Sequence, residues 1–231
     1  MFVGPVNVPF TRQPIPDDVP PAVAEKPLQI DVHAPGRTAE QLTQWAQPIS
    51  ESTRIPLVAL RAYANAELIA TDSYPQCNLS WGTLAGLGQV ETRHGTYTGD
   101  WLNPARIDAD GVARPSIVGP PLDGEGGFAK VVDTDGGVLD GDTEFDRAVG
   151  PLQFIPETWH RYGVDASGDG VLDPHNIEDA AATSAKLLCA NDRDLSTPEG
   201  WTEAIRAYNQ SEKYVRDVRD AAANYALKQP A

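Results

Sequence analysis

Glu91 closes the run Leu84-Ala85-Gly86-Leu87-Gly88-Gln89-Val90-Glu91. Read as a helix, this run puts Leu84, Leu87, Gly88 and Glu91 on one face, since residues three, four and seven apart lie above one another. A carboxylate on an apolar face loses part of its water, and that favours the protonated form. A carboxyl that keeps its proton near neutrality can act as a general acid toward a glycosidic oxygen. The plainer reading is a glutamate paired with a neighbouring arginine at a helix end. The segment alone identifies no sugar.

The run Asp165-Ala166-Ser167-Gly168-Asp169-Gly170-Val171 offers a second chemistry. Oxygen side chains stand at its first, third and fifth positions (Asp165, Ser167 and Asp169). Gly170 follows where a calcium loop turns sharply, and Val171 supplies a backbone carbonyl. The usual glutamate of the twelfth position is replaced by Asn176, and Asp179 is the acidic alternative. Hard oxygen donors at this spacing favour Ca²⁺ in a structural role; the plainer reading is a solvated acidic turn before a helix. The similar stretch Asp133–Asp140 has glycine at its fifth position and reads as a hairpin turn.

Only Cys77 and Cys189 carry sulfhydryl chemistry. Counting leaves a disulfide and two buried thiols equally open. If paired, they close a loop of more than a hundred residues, stabilising by at most about 4–5 kcal/mol, and imply an oxidising compartment. The pairing is the expectation carried forward. The 33 acidic against 18 basic side chains, net −15, repel polyphosphates, so no nucleic-acid partner is expected. His33, His94, His160 and His175 form no H-E-x-x-H zinc spacing, and no glycine loop precedes a Lys and a hydroxyl as a nucleotide site requires. No organic cofactor is expected.

These residues need elements to hold them. Residues 1–35 are proline-rich and read as an extended tether or strap, with one domain over 36–231. Helices are predicted from a Thr38/Gln41 capping box to about Pro48, and from Pro56 with Leu57, Leu60, Ala64 and Leu68 on one face. A third runs from Trp81, capped by Ser80, to about His94. Further helices are predicted over Pro151–Tyr162, Glu178–Cys189, Trp201–Tyr208 and Ser211–Tyr225. The Gly-, Pro- and Asp-rich residues 96–147 read as a long irregular insertion with a small hairpin around Asp135-Gly136-Gly137. The fold class is mainly α. No apolar run reaches transmembrane length, and Met1-Phe2-Val3-Gly4-Pro5 lacks the pattern of a signal peptide. Any export signal or membrane anchor is expected outside this sequence.

Four stretches in this order resemble the lytic murein transglycosylases of the membrane-bound B type, in their actinobacterial versions. Val90–Gly95 is similar to the family's catalytic glutamate motif, and Ala148–Pro156 to its glycan-contacting segment. Asp165–Asp179 is similar to its calcium loop, in which a late Asp replaces the usual Glu. Ala207-Tyr208-Asn209 with Tyr214 is similar to the tyrosine–asparagine motif of lysozyme-like folds. Pro115–Gly124 also resembles the family's cleft loop. The resemblance spans residues 53–226 and implies a lysozyme-like α domain with a groove for peptidoglycan glycan strands. It implies Glu91 as catalyst, Gln153, Phe154, Tyr208 and Asn209 as substrate contacts, and structural Ca²⁺ on Asp165, Ser167, Asp169, Val171 and Asp179. It also implies an exported protein of a periplasm-like space or cell wall. Tyr208 reads equally well as a core aromatic. One departure stands out: where Gram-negative members carry a small hydroxyl residue, this chain has Thr143-Glu144-Phe145-Asp146-Arg147. Glu144 and Asp146 are thus candidate second carboxylates, which makes a hydrolytic muramidase the nearest rival. A non-catalytic peptidoglycan-binding protein is the rival from another class.

Overall fold

A helix starts readily where a side chain can accept from the free N–H groups of its first turn. Ser80 does so for α3 (Trp81–Thr92), accepting from Gly82 N. Asn176 caps α5 (Ile177–Cys189), Thr197 caps α6 (Pro198–Tyr208), and Ser211 caps α7 (Glu212–Ala226). The remaining helices of this computed structural model, which describes residues 12–231, are α1 (Thr43–Thr53), α2 (Leu57–Ser73) and α4 (Pro156–Tyr162). Residues 1–11, the start of the proline-rich segment, lie outside the described residues. No described helix is long and apolar enough to cross a membrane.

The core joins two packed pairs, α2 on α5 and α3 on α7. Leu60, Tyr63, Leu84, Leu87, Leu188, Trp201 and Val218 are buried in one apolar cluster. Glycine lets α3 enter this core. A Cβ on Gly86 would lie 2.7 Å from the Val218 carbonyl oxygen, and one on Gly88 would lie 2.0 Å from the Tyr63 hydroxyl. The predicted face of α7 is buried as Tyr214, Val218, Ala221 and Tyr225. Cys77, just before α3, is bonded to Cys189 at the end of α5, with Cα atoms 5.3 Å apart. The expected disulfide is present.

The insertion between α3 and α4 holds two small antiparallel sheets. One pairs β1 (Arg106–Ile107) with β2 (Ala113–Arg114); the other pairs β3 (Val118–Pro121) with β4 (Arg147–Val149). Residues 12–35 contain no helix or strand and lie over the domain as a strap. Gln13 N donates to Gln229 Oε1, Gln229 Nε2 donates back to Gln13 O, and Trp81 Nε1 donates to Glu25 O, all at 2.8 Å.

Four sequence expectations are corrected. Thr38 caps no helix: its Oγ1 donates to Asn65 Oδ1 at 3.0 Å, and Thr38–Leu42 is a 3₁₀ turn. The next helix does not stop near Pro48 but continues to Thr53, because burial of Ala46, Ile49 and Thr53 on one face carries it across the proline. Helix α4 starts at Pro156 rather than Pro151, since Ile155 precedes proline and is held extended at ψ 149°. The Asp135-Gly136-Gly137 turn joins no tight hairpin: it sits in a loop closed by the isolated Val132–Phe145 bridge.

Candidate active site

Glu91 occupies the last turn of α3, and its half-buried side chain reaches a cleft of about 350 Å³. Burial pushes its carboxyl up to about 7, against the opposing pull of a hydrogen bond donated by Tyr214 Oη from α7. The end of α3 is fixed from behind. Buried His94 shares hydrogen bonds with Tyr63 Oη (3.1 Å) and Tyr225 Oη (2.9 Å). Burial pushes the His94 imidazole down to about 3, so it stays neutral near pH 7. Thr92 Oγ1 donates to Pro151 O at 2.6 Å, tying this helix end to the opposite wall.

That wall is the turn between β4 and α4. Gln153 has a left-handed backbone (φ 52°), and its Nε2 donates to Gly150 O at 3.0 Å. Its Oε1 lies over Gly119 of β3 and takes no protein hydrogen bond among the described residues. Gly150 makes the turn possible. Its φ is +79°, and a Cβ there would sit 1.8 Å from the Pro174 carbonyl oxygen. The Gly150→Ala variant is therefore expected to lose about 2–3 kcal/mol, measurable by urea unfolding, and to displace Gln153.

Tyr208 and Asn209, at the end of α6, line the same cleft. Tyr208 Oη donates to Leu152 O at 2.7 Å and pairs with Ser184 Oγ at 3.2 Å, so its hydroxyl braces the Gln153 turn from inside. Tyr208 is thus a packed aromatic on the cleft wall. Asn209 Oδ1 accepts from Ser211 N at 2.9 Å, next to the cap of α7. Phe154 is buried, with its ring against Trp159 and Tyr208. Pro120 and Leu122 of the expected cleft loop also reach the cavity.

Among the described residues, Glu91 is the only carboxylate lining this cleft. Glu144 is exposed elsewhere. Asp146 is fully buried, and Thr134 donates to both its oxygens at 2.9 and 2.7 Å. The direct Tyr214–Glu91 contact, spanning 123 residues, carries no local signal in the sequence, nor do Phe128 and Thr158 on the cleft wall. Replacing Tyr214 by Phe removes the bond that favours the charged carboxylate. The acidic form of Glu91 should then persist to higher pH, moving the upper limb of the pH–kcat/KM profile up by about one unit.

In the 165–179 loop, Asp165 Oδ1 accepts from Gly168 N (2.7 Å) and Oδ2 from Gly170 N (2.8 Å). Asp169 Oδ1 accepts from Val171 N at 2.8 Å, and Ser167 Oγ donates to Asp165 Oδ1 at 3.2 Å. Buried Asp179 accepts from the N–H groups of Ala166, Ser167 and Asp173. Burial nonetheless pushes its carboxyl up to about 6. Among the described residues, Asp133, Asp135 and Asp146 each place one oxygen within 4.8 Å of the others. There Asp133 and Asp135 accept from backbone N–H groups of the turn that follows.

Residues 145–207 match the family model of the Transglycosylase SLT domain. The matched stretch contains Gln153, Phe154 and the whole 165–179 loop, but not Glu91. No curated protein and no solved structure gives a match. The match supports a place in the lytic-transglycosylase, lysozyme-like superfamily, with transglycosylase activity in general and peptidoglycan as the substrate. The helical fold with its small antiparallel sheets fits it.

Proposed function

We propose that the chain is a lytic transglycosylase of the membrane-bound B type that cleaves the β-1,4 bond between N-acetylmuramic acid and N-acetylglucosamine. The observation that carries this reading is a lone carboxyl, pushed up to about 7 by burial, at the wall of the cleft. Glu91 donates its proton to the glycosidic oxygen as the bond from C1 breaks. The resulting carboxylate then takes the proton of the C6 hydroxyl, whose oxygen bonds to C1 of the same sugar. The product is a 1,6-anhydro ring, no water is consumed, and Glu91 ends protonated as it began. Gln153 and Asn209 offer polar groups at the cleft wall that orient the sugar, and Tyr208 holds the Gln153 turn. Precise orientation of this kind supplies much of a barrier reduction.

A hydrolytic muramidase of the two-carboxylate kind needs a second acidic group across the scissile bond. Glu144 and Asp146, the candidates from sequence, do not line the cleft. Mass spectrometry of fragments released from purified cell wall separates the readings. Anhydro ends, one water lighter than reducing ends, are expected. Reducing ends would assign a muramidase, and no release would leave a peptidoglycan-binding protein.

The oxygen-only donor set of Asp165, Ser167, Asp169 and the Val171 carbonyl suits a hard cation such as Ca²⁺. Both oxygens of Asp165 and both of Asp179 already accept from loop N–H groups, so each carboxylate would meet the ion through a remaining lone pair. The ion's role would be to brace the segment leading into α5. Calcium is expected to raise the melting temperature and chelator to lower it; a melting temperature indifferent to both would refute the site. The disulfide accords with export to a periplasm-like space or the cell wall.

A further inference from the structure

Among the described residues, three aromatic side chains line the Glu91 cleft: Phe128, Phe154 and Tyr208. They differ in how much ring they leave for a ligand. Phe154 is 2% exposed, with its ring already against Trp159 and Tyr208. Tyr208 is part of the packed wall, and its hydroxyl is engaged by Leu152 O and Ser184 Oγ. Phe128, by contrast, is 48% exposed.

A glycine turn sets the direction of this ring. Phe128 N donates to Glu125 O at 3.0 Å, and the two residues between them, Gly126 and Gly127, hold φ +60° and +90°. Two positive φ values in succession make a turn that glycine dominates. The ring lies beside Gly126, where an added Cβ would touch it at 3.6 Å. Below the turn the loop is tied down. Val131 N donates to Leu122 O at 2.8 Å, Leu122 N to Asp146 O at 3.0 Å, and Asp146 N to Val131 O at 3.1 Å. Leu122 also lines the cleft, and Asp146 is fully buried. A half-exposed aromatic therefore stands on a braced loop at the cleft wall. Its free apolar area is surface that a ligand can remove from water.

We propose that Phe128 is the sugar-stacking residue of this cleft, its ring lying against the C–H face of one sugar of the bound glycan strand. The inference rests on the glycan substrate of the proposed function, but not on the chemistry at Glu91. A pyranose ring carries its hydroxyl and amide groups around the rim, while C–H bonds cover a face. Gln153 and Asn209 meet the rim and Phe128 meets the face. Apolar walls with a few placed polar groups are the usual make-up of a ligand cleft. Phe154, a substrate contact by resemblance, supports the wall from inside.

Calorimetric titration with peptide-free strands of alternating N-acetylglucosamine and N-acetylmuramic acid tests this in the Glu91→Gln background, where strands bind without being cut. Phe128→Ala and Phe128→Leu are each expected to weaken binding by at least about tenfold, and Phe128→Trp to retain it. Leucine keeps apolar bulk without the flat face, so it separates stacking from burial alone. Because Phe128 stands on an exposed turn, these variants keep the melting temperature of the parent. Unchanged affinity in Phe128→Ala, full affinity in Phe128→Leu, or no strand binding by Glu91→Gln would each overturn the stacking role. End analysis of the wild-type products keeps the two readings apart. Anhydro ends with unchanged Phe128→Ala binding would overturn the stacking role alone. Reducing ends with tenfold weaker Phe128→Ala binding would overturn the transglycosylase alone.

Discussion

Exchange of Glu91 for Gln is expected to reduce release of soluble fragments from purified cell wall by about a thousandfold or more, with the fold intact. General acid catalysis alone contributes about 10²–10⁴, and in the proposed reaction one group serves as acid and then as base. The amide keeps the size of the carboxyl and can still meet Tyr214, so circular dichroism and melting should barely change. Equal digestion rates for wild type and variant would remove Glu91 from the chemistry. The wild-type pH profile should carry the same signature. Since the reaction starts from the protonated acid, kcat/KM is expected to fall as pH rises through about 7. Stability should follow. The unfolded carboxyl titrates near 4.5 and the folded one near 7, so between these values the folded state binds more protons. Glu67 adds to this trend in the same window. Their contribution is fully present below about 4.5 and is lost as pH approaches 7.

The second large effect is expected at the disulfide. Cys77 and Cys189 are 112 residues apart in sequence, so the bond removes much chain entropy from the unfolded state. The double variant Cys77→Ala/Cys189→Ala should lose about 2–5 kcal/mol, or on the order of 10 °C in melting temperature. The bond joins the segment entering α3 to the end of α5, so opening it also loosens the helix that carries Glu91. Calorimetry with and without reductant checks this; an unchanged melting temperature under full reduction would show that packing alone holds the two segments.

The sequence made α3 readable because three local signals agree there: Ser80 caps it, its apolar face is continuous, and Gly95 follows its end. The same holds for α7, whose period is unbroken from Tyr214 to Tyr225. The misplaced elements are those where a distant partner overrode a local cue. Thr38 turned to Asn65 on α2 instead of capping, and burial of Ile49 outweighed the break expected at Pro48. The start of α4 was legible after all in the Ile155-Pro156 pair, which disfavours helix before the proline. In the cleft, Glu91 could be picked out because its desolvation comes from its own helix face. The contact of Tyr214 with Glu91 was not legible, because it depends on how α7 crosses α3. The bracing role of Tyr208 toward Leu152 is likewise a product of packing.

Carbon-13 NMR titration of glutamate carboxyls, compared between wild type and Glu91→Gln, tests the protonation of Glu91 most directly. A resonance that titrates near pH 7 and vanishes in the variant is expected. Loss from the variant of a resonance titrating near 4.5 would mean that Glu91 is ionised at neutral pH and has no proton to give.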